Sequence, residues 1–345
     1  MNEVKPKSRL KCPLILDSKD IFYSLVDYRN SRFTSENPDK IIEFYDSFKN
    51  RDDLIEWMKE RPKGVANIHE VDGDKEIIVV IPTADFNGKY AKECRENIFK
   101  GLHIIFVESG GRGDFYFNIA HNVNIGVKKA LEYNPKWIMV SNDDVYKIDA
   151  VSVIKKELSS INLDQIKVVF ISQTKYHSYP SSLATARIGR SILFSILGKL
   201  RRYQLSLERR YAVNHFLALS VYYYGLFFKR SHPKIRAIGN FGIFSKYFIR
   251  DVKGILFDET YISGGEDLDL SLVLCKEHYY VANWRLGDFY GSALGKNTPE
   301  GVRNIKGTTR RIRDVANMAY FNFKIDSGFF TQTLGNNEET EDETR

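Results

Sequence analysis

A chain of 345 residues that is 43% hydrophobic and 13% aromatic can hold one large α/β domain with additions, or two domains, and is too apolar to be disordered throughout. Its three cysteines, Cys12, Cys94 and Cys275, show no CxxC or His–Cys spacing, which argues against a zinc site or a disulfide framework and for a reducing compartment. The net charge of +7 is local: twelve Lys or Arg between Lys175 and Arg236 face one acid, Glu208, and the rest of the chain is net −4.

Residues 1–12 are polar and basic without an apolar stretch, so no secretory signal is expected, and no run of about 18 apolar residues predicts a membrane span. Residues 1–75 read as a mostly helical extension. Asn37-Pro38-Asp39-Lys40 is a helix start, with Asn37 as cap and Pro38 in the first turn. Ile41, Ile42, Phe44, Tyr45, Phe48, Leu54, Ile55 and Trp57 follow at roughly helical spacing, with a break near Asn50.

From Glu76 the pattern becomes strand, loop and helix in repetition. Ile77–Ile81 is a buried strand bounded by Pro82, and 89–100 a helix ended by Gly101. Ile104–Val107 is a second strand, 118–133 a helix, Trp137–Val140 a third strand, 148–158 a helix and 166–171 a further strand. Apolar strands alternating with helices predict a parallel-type sheet covered on both faces, in which ligands bind at the carboxyl ends of the strands. Thr83, Glu108 and the pair Asp143/Asp144 all fall at such ends.

The basic segment 175–236 interrupts the alternation. Its Ile, Leu, Phe and Tyr are interleaved with Arg and Lys, which suits a helix lying on an anionic membrane surface; a solvated basic face is the plainer reading. No nucleic-acid-binding motif accompanies the charge, so no nucleic-acid partner is expected. Residues 243–252 read as helical, and Gly264-Gly265-Glu266-Asp267 opens the amphipathic run 268–274. The acidic tail 335–345 reads as disordered.

Two acidic sites carry the chemistry. Asn142-Asp143-Asp144 after a buried strand suits a divalent cation, since hard ions take oxygen ligands, although Asn and Asp also favour plain turns. Glu266-Asp267 behind two glycines suits a general base that a substrate can approach, although acids at a helix start are also favoured by the dipole. Gly110-Gly111-Arg112-Gly113 lacks the Lys-Ser/Thr ending of a phosphate-binding loop, and His103, His121 and His278 read as structural.

Over residues 76–292 the chain resembles the inverting glycosyltransferases of family 2, which have a GT-A fold. The matching words are Val80-Ile81-Pro82-Thr83, Val107-Glu108-Ser109-Gly110, Asn124–Ala130, Ser141-Asn142-Asp143-Asp144-Val145, Phe257-Asp258-Glu259 and Gly265-Glu266-Asp267-Leu268-Asp269-Leu270. The resemblance implies a GT-A domain over 76–334, a mostly parallel sheet flanked by helices, with 175–236 as an insertion. It implies that Thr83 and Glu108 contact the base and ribose of a nucleotide-sugar donor, with Asn124 and Asp143 beside them. Asp144 would hold Mg²⁺ or Mn²⁺ on the donor diphosphate, Asp267 would deprotonate the acceptor hydroxyl, and Glu266 would orient the acceptor. The expected acceptor is a glycan or a polyprenyl-linked saccharide, and the basic segment 175–236, lying on the inner face of the membrane, would bring the site to it from the cytoplasmic side. Glu108 stands where relatives usually carry Asp, and Lys296, Arg310, Arg311 and Lys324 are the cations that could steady the diphosphate. The alternatives are a nucleotidyltransferase making the activated sugar, and a non-catalytic sugar-nucleotide or membrane-binding protein.

Overall fold

The computed structural model describes residues 18–35, 37–146, 148–171, 206–213, 241–262, 264–274, 277–285, 287–288 and 308–329. Three helices come first: α1 (Ser18–Phe33), α2 (Pro38–Asp46) and α3 (Arg51–Glu60). The Asn37 side chain accepts from Asp39 N at 2.9 Å and Asn50 from Asp53 N at 3.0 Å, so the expected start and the expected break are both asparagine caps. The Phe44 ring packs edge-on against Phe33, Phe48 and Trp57, with centroids 5.0, 5.1 and 5.1 Å away. This helical core is shared with the last described helix, α9 (Thr308–Asp326): Tyr45 Oη donates to Ile312 O at 2.8 Å and accepts from Ala316 N at 2.9 Å.

A seven-stranded mixed sheet follows, built from β1 (Asn67–Val71), β2 (Asp74–Thr83), β3 (Leu102–Glu108), β4 (Trp137–Ser141), β6 (Val168–Ile171), β7 (Phe241–Ser245) and β8 (Tyr279–Ala282) in the order β1-β3-β2-β4-β7-β6-β8. Two short strands, β5 (Val145–Tyr146) and β9 (Gly287–Asp288), pair apart from it. The even positions of β2, Ile78 and Val80, face a core with Ala120, Val123 and Val127 of α5 (Ile119–Leu131), Phe248 of α7 (Lys246–Asp251) and Leu270 of α8 (Glu266–Val273). The odd positions, Ile77, Val79 and Ile81, face Ala91 of α4 (Lys89–Glu93), Cys94 and Phe99 beyond it, and Ile154 and Leu158 of α6 (Val151–Ser160). A strand buried on both sides has no polar face, which is why β2, β3 and β4 read as continuous apolar runs.

Three expectations are corrected. The sheet is mixed rather than parallel-type: β1 and β7 run against the other five strands. The 1–75 segment is not helical to its end, since β1 pairs antiparallel with β3, Asn67 opposite Glu108. This edge strand exposes much of its polar sequence and so lacks the apolar signal of its neighbours. Residues 243–252 are not one helix. Phe241–Ser245 is a fully buried strand between β4 and β6, and Ser245 caps the short α7 by accepting from Phe248 N at 3.2 Å. A five-residue apolar run before a helix carries no periodicity that separates the two states.

Candidate functional site

The co-directional strands β2, β3 and β4 bring three of the expected residues to one edge. Thr83 ends β2, Glu108 ends β3, and the two are paired in register. Asp143 follows β4 at the same end, and Thr83 Oγ1 donates to Asp143 Oδ2 at 2.7 Å. Asp143 and Asp144 are both buried, 7% and 2% exposed. Burial pushes the Asp143 carboxyl up to about 7; the charge of Asp144 adds to this, and the Thr83 hydrogen bond opposes it. The Cys94 thiol donates to the Asp143 carbonyl at 3.3 Å, and burial together with the two carboxylates pushes it far up, so it packs here as a thiol rather than a nucleophile.

Glu108 is held by both oxygens. Oε1 accepts from Phe86 N at 2.9 Å, and Oε2 lies 2.8 Å from His69 Nε2. The His69 and Phe86 rings stack at 4.4 Å and 4°. The added methylene of Glu therefore reaches the loop after β2 and the edge strand β1 together, and sequence reasoning had no sign of His69, because β1 itself went unread.

Asn124, expected among the donor contacts, is bonded to the 256–259 loop. Its Nδ2 donates to Phe257 O and Glu259 Oε1, both at 2.9 Å. Its Oδ1 accepts from Leu256 N and Phe257 N at 2.9 and 3.0 Å. An amide offers two donors and two acceptor lone pairs, so the capacity of Asn124 is spent on the 256–259 loop. The glycine loop after β3 is likewise folded on itself: Asp114 accepts from Val65 N, Gly110 N and Tyr116 N, and a Cβ on Gly110 would lie 2.9 Å from Asp114 Cβ.

The loop that leads to the second acidic site is held by the start of α5. Asn118 caps α5 just beyond the carboxyl end of β3, and its Nδ2 donates to Glu259 O at 2.7 Å and Tyr261 O at 3.4 Å. From there Gly264 and Gly265, at φ 154° and 101°, turn the chain into α8. A Cβ on Gly265 would sit 3.0 Å from the Tyr261 ring, so both backbone angle and space call for glycine. Glu266 and Asp267 are the first two residues of α8; Glu266 is buried and Asp267 half-buried.

Lys324 of α9, considered above for the diphosphate, is committed elsewhere. Its Nζ lies 2.7 Å from Asp269 Oδ2 and 3.1 Å from Asp258 Oδ2, and Asp258 Oδ2 also accepts from Tyr320 Oη at 2.8 Å. Burial raises the Asp269 carboxyl to about 6 despite the attraction of Lys324. Burial also acts on Asp258, but the Lys324 charge and the bonds from Thr260 and Tyr320 outweigh it and hold that carboxyl low. Arg310 and Arg311 belong to the first turn of α9, and Lys296 lies outside the described residues.

Most of the basic segment 175–236 also lies outside them. In 206–213, Arg210 pairs with Asp46 at 3.2 Å and bonds to Phe48 O, while Tyr211 Oη donates to Tyr45 O at 2.6 Å, which ties this piece to the helical core. Among the described residues, no helix is long and apolar enough to cross a membrane, and no group of three or more His, Cys, Asp or Glu is arranged to hold a metal. No protein-family model, curated protein or solved structure matches the chain.

Proposed function

We propose that the protein is an inverting glycosyltransferase of the GT-A, family 2 type, moving a sugar from a nucleoside-diphosphate-sugar to an acceptor hydroxyl. The observation that carries this reading is the Thr83–Asp143 hydrogen bond at 2.7 Å, beside the buried Asp144 and in register with Glu108. Polar residues gathered at the carboxyl ends of co-directional strands are where α/β sheets bind nucleotides. Two adjacent buried carboxylates that repel each other, one of them raised to about 7, fit a hard divalent cation, and Mg²⁺ commonly takes only one or two carboxylates plus substrate phosphates.

In this reading Thr83, Glu108 and Asp143 hold base and ribose, and Asp144 would hold Mg²⁺ or Mn²⁺, which would supply positive charge against the leaving diphosphate. Asp267 accepts the proton of the acceptor hydroxyl while that oxygen bonds to the anomeric carbon and the carbon–diphosphate bond breaks. One displacement inverts the centre. Glu266 orients the acceptor, a glycan or polyprenyl-linked saccharide.

Melting curves with UDP-, GDP- and dTDP-sugars, with and without Mn²⁺, test the donor half. A cognate donor at 100 times its Kd stabilises by about 2.7 kcal/mol. Asp267→Asn is expected to lower turnover by about 10²–10⁴-fold while keeping that stabilisation. No Mn²⁺-dependent shift with any donor, or full turnover in Asp267→Asn, refutes the assignment. For the basic segment 175–236 the reading is a peripheral contact with an anionic leaflet on the cytoplasmic side. Co-sedimentation with anionic liposomes at low salt is the expected result, and protein left in the supernatant removes that element.

A further inference from the structure

We propose that Lys324 is a positioning residue for the acidic helix start, its ammonium tying α9 both to the loop before Glu266-Asp267 and to the helix that carries them. The inference rests on the reading of Asp267 as the acceptor base.

Lys324 is 6% exposed and contacts Asp258 on one side of the Glu266-Asp267 pair and Asp269 on the other. The same helix grips the loop twice more. Asn317 Oδ1 accepts from Ile262 N and its Nδ2 donates to Ile262 O, both at 2.8 Å, and Tyr320 Oη bonds to Asp258. α9 is in turn referenced to the helical core through Tyr45, and through Arg51 and Asp326 at 2.7 Å.

Helical rotation turns this anchor into an aim. At 100° per residue, Asp267 lies roughly 200° around α8 from Asp269. The contact with Lys324 points Asp269 into α9 and thereby sends Asp267 to the opposite side of the helix, where it is half-buried while Asp269 is 4% exposed. Among the described residues, Lys324 and Tyr320 from α9, with Asp258 and Tyr261 from the preceding loop, are the charged and titratable groups around Asp269. A buried lysine bridging two carboxylates adds little net stability over apolar packing of the same volume, so its effect is to select one register of the helix.

Lys324→Met tests the tether by removing the ammonium from between Asp258 and Asp269. Amides 264–270 are expected to exchange with deuterium at least tenfold faster, with those of β2, β3 and β4 unchanged. Turnover is expected to fall at least tenfold with the donor KM and the Mn²⁺-dependent donor stabilisation unchanged. Lys324→Arg, which can reach both carboxylates, is expected to keep turnover within about threefold. Wild-type exchange at 264–270 in Lys324→Met overturns the tether, and faster exchange with unchanged turnover overturns the positioning role. If no donor stabilises even the wild-type protein, the glycosyltransferase reading fails, and the exchange measurement still decides whether Lys324 holds this segment.

Discussion

Thr83, Glu108 and Asp143 stand at or just past strand ends whose register is set by backbone pairing, whereas Glu266 and Asp267 stand on an eight-residue helix placed by side chains. The first group inherits its geometry from the sheet core, with Ile78, Val80, Ile105, Val107 and Ile138 all buried around it. The second depends on Asn118, Asn124, Asn317 and Lys324, four polar residues from two helices that hold 256–269 by its backbone and carboxylates. A sheet end is rigid because many weak contacts agree, while a polar clamp is rigid only while each of its few bonds is made. The acid half should therefore be the easier one to loosen selectively.

The largest expected effect follows from Asn124. Asn124→Leu nearly conserves volume but leaves the buried Leu256 N, Phe257 N and Phe257 O without their partner. At 1–3 kcal/mol for each unsatisfied group, partly relieved by relaxation, the loss should be about 4 kcal/mol in urea unfolding. A loss under 1 kcal/mol would mean that the 256–259 loop is held by packing alone, and the contrast between the two halves would disappear.

A somewhat smaller effect comes from pH. Asp269 has a folded pKa of about 6 against an ordinary 3.8, so between those values the native state keeps a proton that the unfolded chain releases. Its contribution is present below pH 3.8 and is lost as pH rises through about 6, a change of order 3 kcal/mol. Asp269→Asn removes the titration. The stability of wild type minus that of the variant should accordingly fall between pH 4 and 6.5. A flat difference would show that burial of Asp269 is balanced fully by Lys324.

The same contrast explains what the sequence disclosed. Thr83, Glu108 and Asp143 were legible because each closes or directly follows an apolar run, and a strand end is a local event. Gly264 and Gly265 were legible for the same reason, as a turn before an amphipathic run. Lys324 was not, because its partners are 55 and 66 residues away in the chain, and a lysine in a helix looks the same whether it faces solvent or two carboxylates. The bonds of Asn124 were not legible because the word around it, Asn-Ile-Gly-Val, marks a helix packed on the sheet; a Cβ on its Gly126 would meet Val80 Cγ1 at 2.4 Å. That position says where the helix packs and not what the neighbouring asparagine bonds to. β1 and β7 escaped because an edge strand shows too little apolar pattern and a buried five-residue strand shows no alternation.

The smallest effect sharpens the sheet-held half. Thr83→Val keeps the shape of the side chain and removes the hydroxyl that donates to Asp143 Oδ2. That bond favours the ionised carboxyl, so its removal should raise the Asp143 pKa further above about 7. The destabilisation should then be about 1–2 kcal/mol at pH 8 in EDTA, where the carboxylate is charged, and smaller at pH 5.5, where it is protonated. Urea midpoints at the two pH values measure this directly. An equal loss at both would mean that the hydroxyl acts by packing alone and that Asp143 is not ionised in the folded protein at pH 8. With β2–β4 pairing intact, amide exchange at 264–270 should not change in this variant, which separates the strand-held half of the site from the clamped one.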